Sequence, residues 1–290
     1  MKQTMKNLAA ATVLSMAVMS AQAALTVPAD NSLVVYDSSL NVDWTKDFNL
    51  FETQANSYVG GSSAFVTAVI NASGGVINDS PNSLDTVANS GVHNLTATDF
   101  NTSNGQMNWW GATAWVNYLN STSYAGLTNW TLPQITPVNG SAFQPNVSFN
   151  GTTDRGFNNN AVNATASQLA YLYYNELGNL ALYNTSGATQ SGWGLAHTAP
   201  FSNIQSGAYW FSPEYDGGTL TNTPGNKQWA VLFMETNGAQ GFGPKSAFYY
   251  STAVAAVPEP ETYAMMLIGL GLMGSIARRK KLATDHRTQS

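Results

Sequence analysis

Apolar residues recur at three- and four-residue steps through residues 108–120 (NWWGATAWVNYLN). Trp109, Ala112, Trp115, Val116 and Leu119 share one face, which predicts a helix. Asn108 supplies its N-cap, and Gly111 weakens it by about 1 kcal/mol relative to Ala. A second helix is predicted over 166–177, with Leu169, Leu172, Tyr173 and Leu177 on one face. Thr165-Ala166-Ser167-Gln168 opens it as a capping box and Gly178 stops it. Elsewhere the pattern is that of strands. Residues 33–36 and 40–44 flank the turn residues Asp37-Ser38-Ser39, and Leu40, Val42 and Trp44 alternate. Residues 130–133 read as extended, and 209–212, 229–234 and 247–254 as a C-terminal sheet. Gly238, Gly241 and Gly243 fall in the turn between the last two of these. Residues 51–72 have apolar positions for one short helix, 74–104 are loop-rich, and 135–163 form a long polar insertion. The class is α+β, with two helices packed on a sheet that includes 229–234. Trp115 and Leu172 are expected in the core, together with Trp109, Trp130, Trp210 and Trp229.

The two ends follow different rules. Residues 1–23 read as a secretory signal peptide: Lys2 and Lys6 precede an apolar run, and Ala21-Gln22-Ala23 gives the small-x-small cleavage pattern at Ala21 and Ala23. At the other end, Pro258-Glu259-Pro260 cannot be helical, because each proline fixes φ and removes a donor. Residues 262–277 then carry no charge, and as a helix would span about 24 Å. That is slightly short of a hydrocarbon core near 30 Å, a mismatch that snorkelling or thinning accommodates. Arg278, Arg279, Lys280 and Lys281 follow and would stay on the cytoplasmic side. The chain therefore divides into a signal peptide (1–23), an extracellular domain (24–256), a sorting and anchor segment (257–281) and a polar cytoplasmic extension (282–290).

The order Pro258-Glu259-Pro260, a glycine-containing apolar run with Gly269, Gly271 and Gly274, and the basic cluster closely resembles the PEP-CTERM tail of exported Gram-negative bacterial proteins. The resemblance implies passage through the secretion machinery and transient anchoring in the inner membrane. Recognition by an exosortase, a membrane protease-transpeptidase, would follow, with release to the cell surface or extracellular space.

Residues 24–257 contain four basic and thirteen acidic residues, a formal charge of −9 that the basic ends reduce to −5 for the whole chain. An acidic domain without a basic patch argues against nucleic acid as a partner. Cysteine is absent, so no disulfide, thiolate metal site or cysteine nucleophile exists. Asn, Ser, Thr and Gly replace Lys and Glu and give a neutral, turn-rich surface.

Several segments in order (LNVDW at 40–44, NWWGATAWVNYLN at 108–120, TNWTLP at 128–133, LGNLALYNTSG at 177–187 and APFSNIQSGAYWFSPEY at 199–215) look like the C-type-lectin-like domains of bacterial surface proteins. This resemblance spans about 33–254. It implies an α+β fold with two helices flanking small antiparallel sheets and a long irregular loop region.

Candidate chemistry is sparse. Glu214 and Asp216, two residues apart and followed by Gly217, can supply part of a calcium site or cap a strand-end turn. The sugar-binding Glu-Pro-Asn-type tripeptide of true lectins is missing. Calcium is the one cofactor considered, and otherwise none is expected. Trp193, between two glycines, can stack on a sugar or plug its own loop. His93 and His197 are expected to be exposed loop histidines, and no nucleophile elbow, zinc-protease, P-loop or dinucleotide motif is present. The expectation is a non-enzymatic surface or matrix protein that binds polysaccharide or another matrix component. The alternatives are an extracellular hydrolase using Glu214 and Asp216, and a purely structural biofilm protein.

Overall fold

The computed structural model describes residues 25–216 and 225–258. The expected signal peptide with Ala21 and Ala23, and the tail from Glu259 through Lys281 to residue 290, lie outside the described residues. Among the described residues no helix is long and apolar enough to cross a membrane.

The N-terminal hairpin forms as its alternation predicts. Strands β1 (Leu25–Thr26), β2 (Val34–Asp37) and β3 (Val42–Thr45) pair antiparallel in sequence order. Buried Asp37 holds the turn: its Oδ1 accepts the Ser39 and Leu40 amides, each at 3.0 Å, and its Oδ2 accepts Trp44 Nε1 at 3.3 Å. Residues 51–72 differ from expectation. They give two helices, α1 (Leu50–Ser57) and α2 (Ser62–Ala72), broken where Gly60 and Gly61 take φ of +99° and +83°. The loop-rich stretch carries the short pairs β4 (Val76–Asn78) with β5 (Val92–Asn94), and β6 (Phe100–Asn101) with β7 (Gln106–Met107).

Helix α3 (Trp109–Ser121) matches its prediction, with the Asn108 side chain accepting the Gly111 amide at 2.8 Å. Trp115 and Leu119 are fully buried. Gly111 has a packing reason to be glycine: a Cβ there would stand 2.7 Å from the Asp99 carbonyl oxygen. After β8 (Trp130–Thr131) the polar insertion is more ordered than its composition suggests. Strands β9 (Val147–Ser148) and β10 (Arg155–Gly156) pair in parallel, and the Asp154 carboxylate accepts the Val138 and Gln144 amides at 2.8 and 2.7 Å.

The second predicted helix is α4 (Gln168–Tyr171), continued by a π-helical turn over Leu172–Glu176. Ser167 caps it in place of Thr165, accepting the Ala170 amide at 3.3 Å. Gln168, the expected second half of the capping box, accepts the Gln134 amide at 2.6 Å instead. Leu172 is buried as expected.

The C-terminal strands are β11 (Ala208–Tyr215), β12 (Trp229–Met234), β13 (Ala239–Pro244) and β14 (Val254–Ala256). Strand β13 is the correction to the sequence reading: Gly241 and Gly243 lie inside it, and Gly238, at φ +77°, marks the turn. The predicted strand over 247–254 is regular only from Val254, although Tyr249 bridges Met107 and Tyr250 bridges Tyr209. Two five-stranded sheets result, ordered β1-β2-β3-β14-β8 and β11-β12-β13-β10-β9. The first brings the two ends of the domain together.

Strands β11 and β12 are covered on both faces, which explains their nearly continuous apolar runs. Ala208, Trp210, Ala230 and Leu232 join the core that contains the apolar faces of α1, α2 and α3. Tyr209, Phe211, Val231 and Phe233 join a second core with Leu169, Leu172 and Tyr173, and with Val35 and Trp44 of the first sheet. Burying each large apolar side chain contributes ~1.5–3 kcal/mol. Of the expected core tryptophans, Trp109, Trp115, Trp130 and Trp210 are buried, whereas Trp229 is half-buried.

Candidate functional site

The chemistry gathers where the loop after β4 meets the loop after β13. Lys245, one of the four basic residues in 24–257, is fully buried. Its Nζ lies 2.5 Å from Asp79 Oδ2 and 3.6 Å from Glu214 Oε1, and the Asp79 side chain is as inaccessible as its own. Asp79 Oδ2 also accepts Trp110 Nε1 at 2.9 Å and Asn82 Nδ2 at 3.0 Å, while Asp79 Oδ1 is buried without a hydrogen-bond partner. The Glu214 carboxylate accepts the Ser80 amide through both oxygens, at 2.9 and 3.1 Å. Trp109 and Trp110, at the start of α3, flank the ammonium, with ring centres 4.8 and 5.8 Å from Nζ.

A second polar group adjoins the first through Trp110. His93 stacks on its ring at 4.0 Å, with 8° between the planes. His93 Nε2 is 3.0 Å from Asp99 Oδ1, which also accepts Asn108 Nδ2 at 2.6 Å. Burial pushes the Asp99 carboxyl up, but hydrogen bonds from His93, the Thr96 amide and Asn108 outweigh it and leave the group below its ordinary range. His93 is therefore packed into the interior, contrary to the expected exposed loop position. His197 is exposed as expected.

Beside Glu214 the interior opens to a groove of about 500 Å³. Its lining includes Phe143, Gln144, Glu214, Tyr215, Asp216 and Lys227. Tyr215 is fixed beneath it, stacked on Phe242 at 4.0 Å and edge-on to Phe143 at 6.1 Å. The groove sets carboxylate, amide and ammonium groups beside aromatic rings.

The structure brings Glu214 and Asp216 to this groove but leaves Trp193 on another loop. Trp193 is 43% exposed, and the neighbouring Gly194 bridges Leu180. Glu214 lies 3.6 Å from the Lys245 ammonium, and among the described residues no three His, Cys, Asp or Glu side chains converge on a metal position. Sequence reasoning missed Asp79, Ser80, Trp110 as a donor, and Lys245. The one usable signal was scarcity: with so few cations, each is a candidate for a specific partner.

The last described residues are held by hydrogen bonds to two loops. Asn129 Nδ2 donates to the Ala256 carbonyl at 2.8 Å, Asn41 Nδ2 donates to that of Val257 at 2.6 Å, and the Val257 amide donates to the Asn41 carbonyl at 3.1 Å. Pro258 is exposed immediately beyond. No curated protein and no solved structure matches the chain. Residues 256–281 match the model of the PEP-CTERM protein-sorting motif, which marks the chain for exosortase processing and for export to the cell surface or extracellular space.

Proposed function

We propose that the domain preceding the sorting motif is a C-type-lectin-like, non-enzymatic binding module that acts at the cell surface or in the extracellular matrix, with polysaccharide as its ligand. On this reading the tail anchors the chain in the inner membrane before an exosortase acts on it. The observation that carries the binding role is the open groove lined by Gln144, Asp216 and Lys227 over Phe143 and Tyr215. Pairing of the N-terminal strands with β14 in one sheet supports the lectin-like reading of the architecture. The interactions of Glu214 with the Ser80 amide and Lys245 favour binding over hydrolysis, because they hold the carboxylate to the protein itself. Calcium has no role in this reading.

The test is a glycan array probed with the purified protein and with a Phe143→Ala/Asp216→Asn variant. Retained polysaccharide binding by wild type and its loss in the folded variant is the expected result. Equal binding by both would remove the groove from the account, and no binding by wild type would favour a structural role.

A further inference from the structure

We propose that Lys245 and Asp79 are joined by an intramolecular isopeptide bond, formed by the protein itself with Glu214 as proton carrier. Three observations meet at one point. A buried amine and a buried carboxyl are in direct contact, with Nζ 2.5 Å from Oδ2. A second carboxylate, Glu214, stands 3.6 Å from the same nitrogen, held by the Ser80 amide. The two oxygens of Asp79 are in unlike surroundings: Oδ2 faces Trp110 Nε1 and Asn82 Nδ2, whereas Oδ1 is buried without a partner.

These surroundings assign each atom a part. Lys245 passes one proton to the Asp79 carboxylate, which carries it on Oδ1, the oxygen that no other donor occupies, leaving an amine and a carboxylic acid. The nitrogen lone pair attacks Cγ, the Nζ–Cγ bond forms, and the carbonyl electron pair moves onto Oδ2. The Trp110 and Asn82 donors stabilise the charge that develops there. Glu214 takes a second proton from Nζ and delivers it to the Oδ1 hydroxyl. The Cγ–Oδ1 bond breaks, water leaves, and the Cγ=Oδ2 carbonyl reforms. The products are an amide, one water and Glu214 returned to its carboxylate, with no oxidant, metal or cofactor required.

The setting favours this direction. Two opposite charges held away from solvent pay a desolvation cost, and a neutral amide removes both. Glu214 also lines the groove, which gives the expelled water an exit. The bond would link positions 166 residues apart in a chain with no cysteine, restricting the unfolded ensemble as a disulfide does.

The experiment is mass spectrometry of the purified full chain, intact and after trypsin digestion under denaturing conditions. The expected intact mass is lower than that of the processed sequence by one water. Trypsin should fail to cut after Lys245, and a branched peptide should contain both Asp79 and Lys245. In Glu214→Gln the bond should be lost or form at least tenfold more slowly, while Lys245→Arg should give a linear chain. A wild-type Lys245 peptide recovered linear, with a free amine, overturns the proposal whatever the variants do. Bond formation at the wild-type rate in Glu214→Gln overturns the part assigned to Glu214.

Discussion

Lys245 Nζ lies 2.5 Å from Asp79 Oδ2, and neither side chain reaches solvent, although the two residues are 166 positions apart. Their contact ties the loop after β4 to the loop after β13 and fixes the inner wall of the groove through Glu214. Breaking such a pair leaves one buried charge uncompensated, at a cost of ~3–5 kcal/mol. Lys245→Met and Asp79→Leu should each lower the free energy of urea unfolding by at least that amount, because each leaves one buried charge unpaired and also removes the proposed crosslink. A loss within about 0.5 kcal/mol, the range of ordinary surface substitutions, would mean that the pair is not buried as described.

Gly111→Ala sets local propensity against packing. Helix propensity alone predicts a gain of about 1 kcal/mol. The new Cβ, however, would stand 2.7 Å from the Asp99 carbonyl oxygen and 3.2 Å from Met107 Cβ. Overpacking of this kind costs ~1–3 kcal/mol, so the variant should melt below wild type in a thermal scan. A higher melting temperature would show that α3 does not approach the Asp99 backbone so closely.

Glu235 supplies a pH dependence. Loss of hydration pushes its buried carboxyl from 4.5 up to about 8. The native state then binds more protons than the unfolded chain between those two values, so stability falls as pH rises through that window. The penalty is absent below the lower value and complete above the upper one. Glu235→Gln should flatten this part of the curve in urea midpoints measured against pH. An unchanged slope in the variant would assign the effect to other groups.

These predictions draw on parts of the fold that were not equally legible in the sequence. Helix α3 and strand β12 were readable because periodicity and an unbroken apolar run report directly on burial. Strand β13 was hidden by Gly241 and Gly243, whose side-chain-free positions carry no pattern, and Gly243 lies against Leu232 and Tyr249. The division of 51–72 into α1 and α2 rests on the backbone at Gly60 and Gly61. The Asp79–Lys245 pair left no local trace, because both residues lie outside periodic elements and meet only through tertiary structure. Glu214 and Asp216 were found as a carboxylate pair, but only the fold shows that Glu214 faces a buried cation.

The claim on which the biological reading depends is that the tail is a processed sorting signal. The domain is hydrogen-bonded through Val257, and Pro258 is exposed just after it, so trimming beyond that point should leave the domain folded. Proline lacks the N–H that a helix hydrogen bond needs, which suits a site that a protease must engage as open backbone. The decisive measurement is the mass and the membrane or secreted fraction of wild type and of a Pro258→Ala/Glu259→Ala/Pro260→Ala variant, in a host that contains an exosortase. The account predicts a trimmed, released wild type and a full-length, membrane-retained variant. A variant trimmed and released like wild type would contradict it.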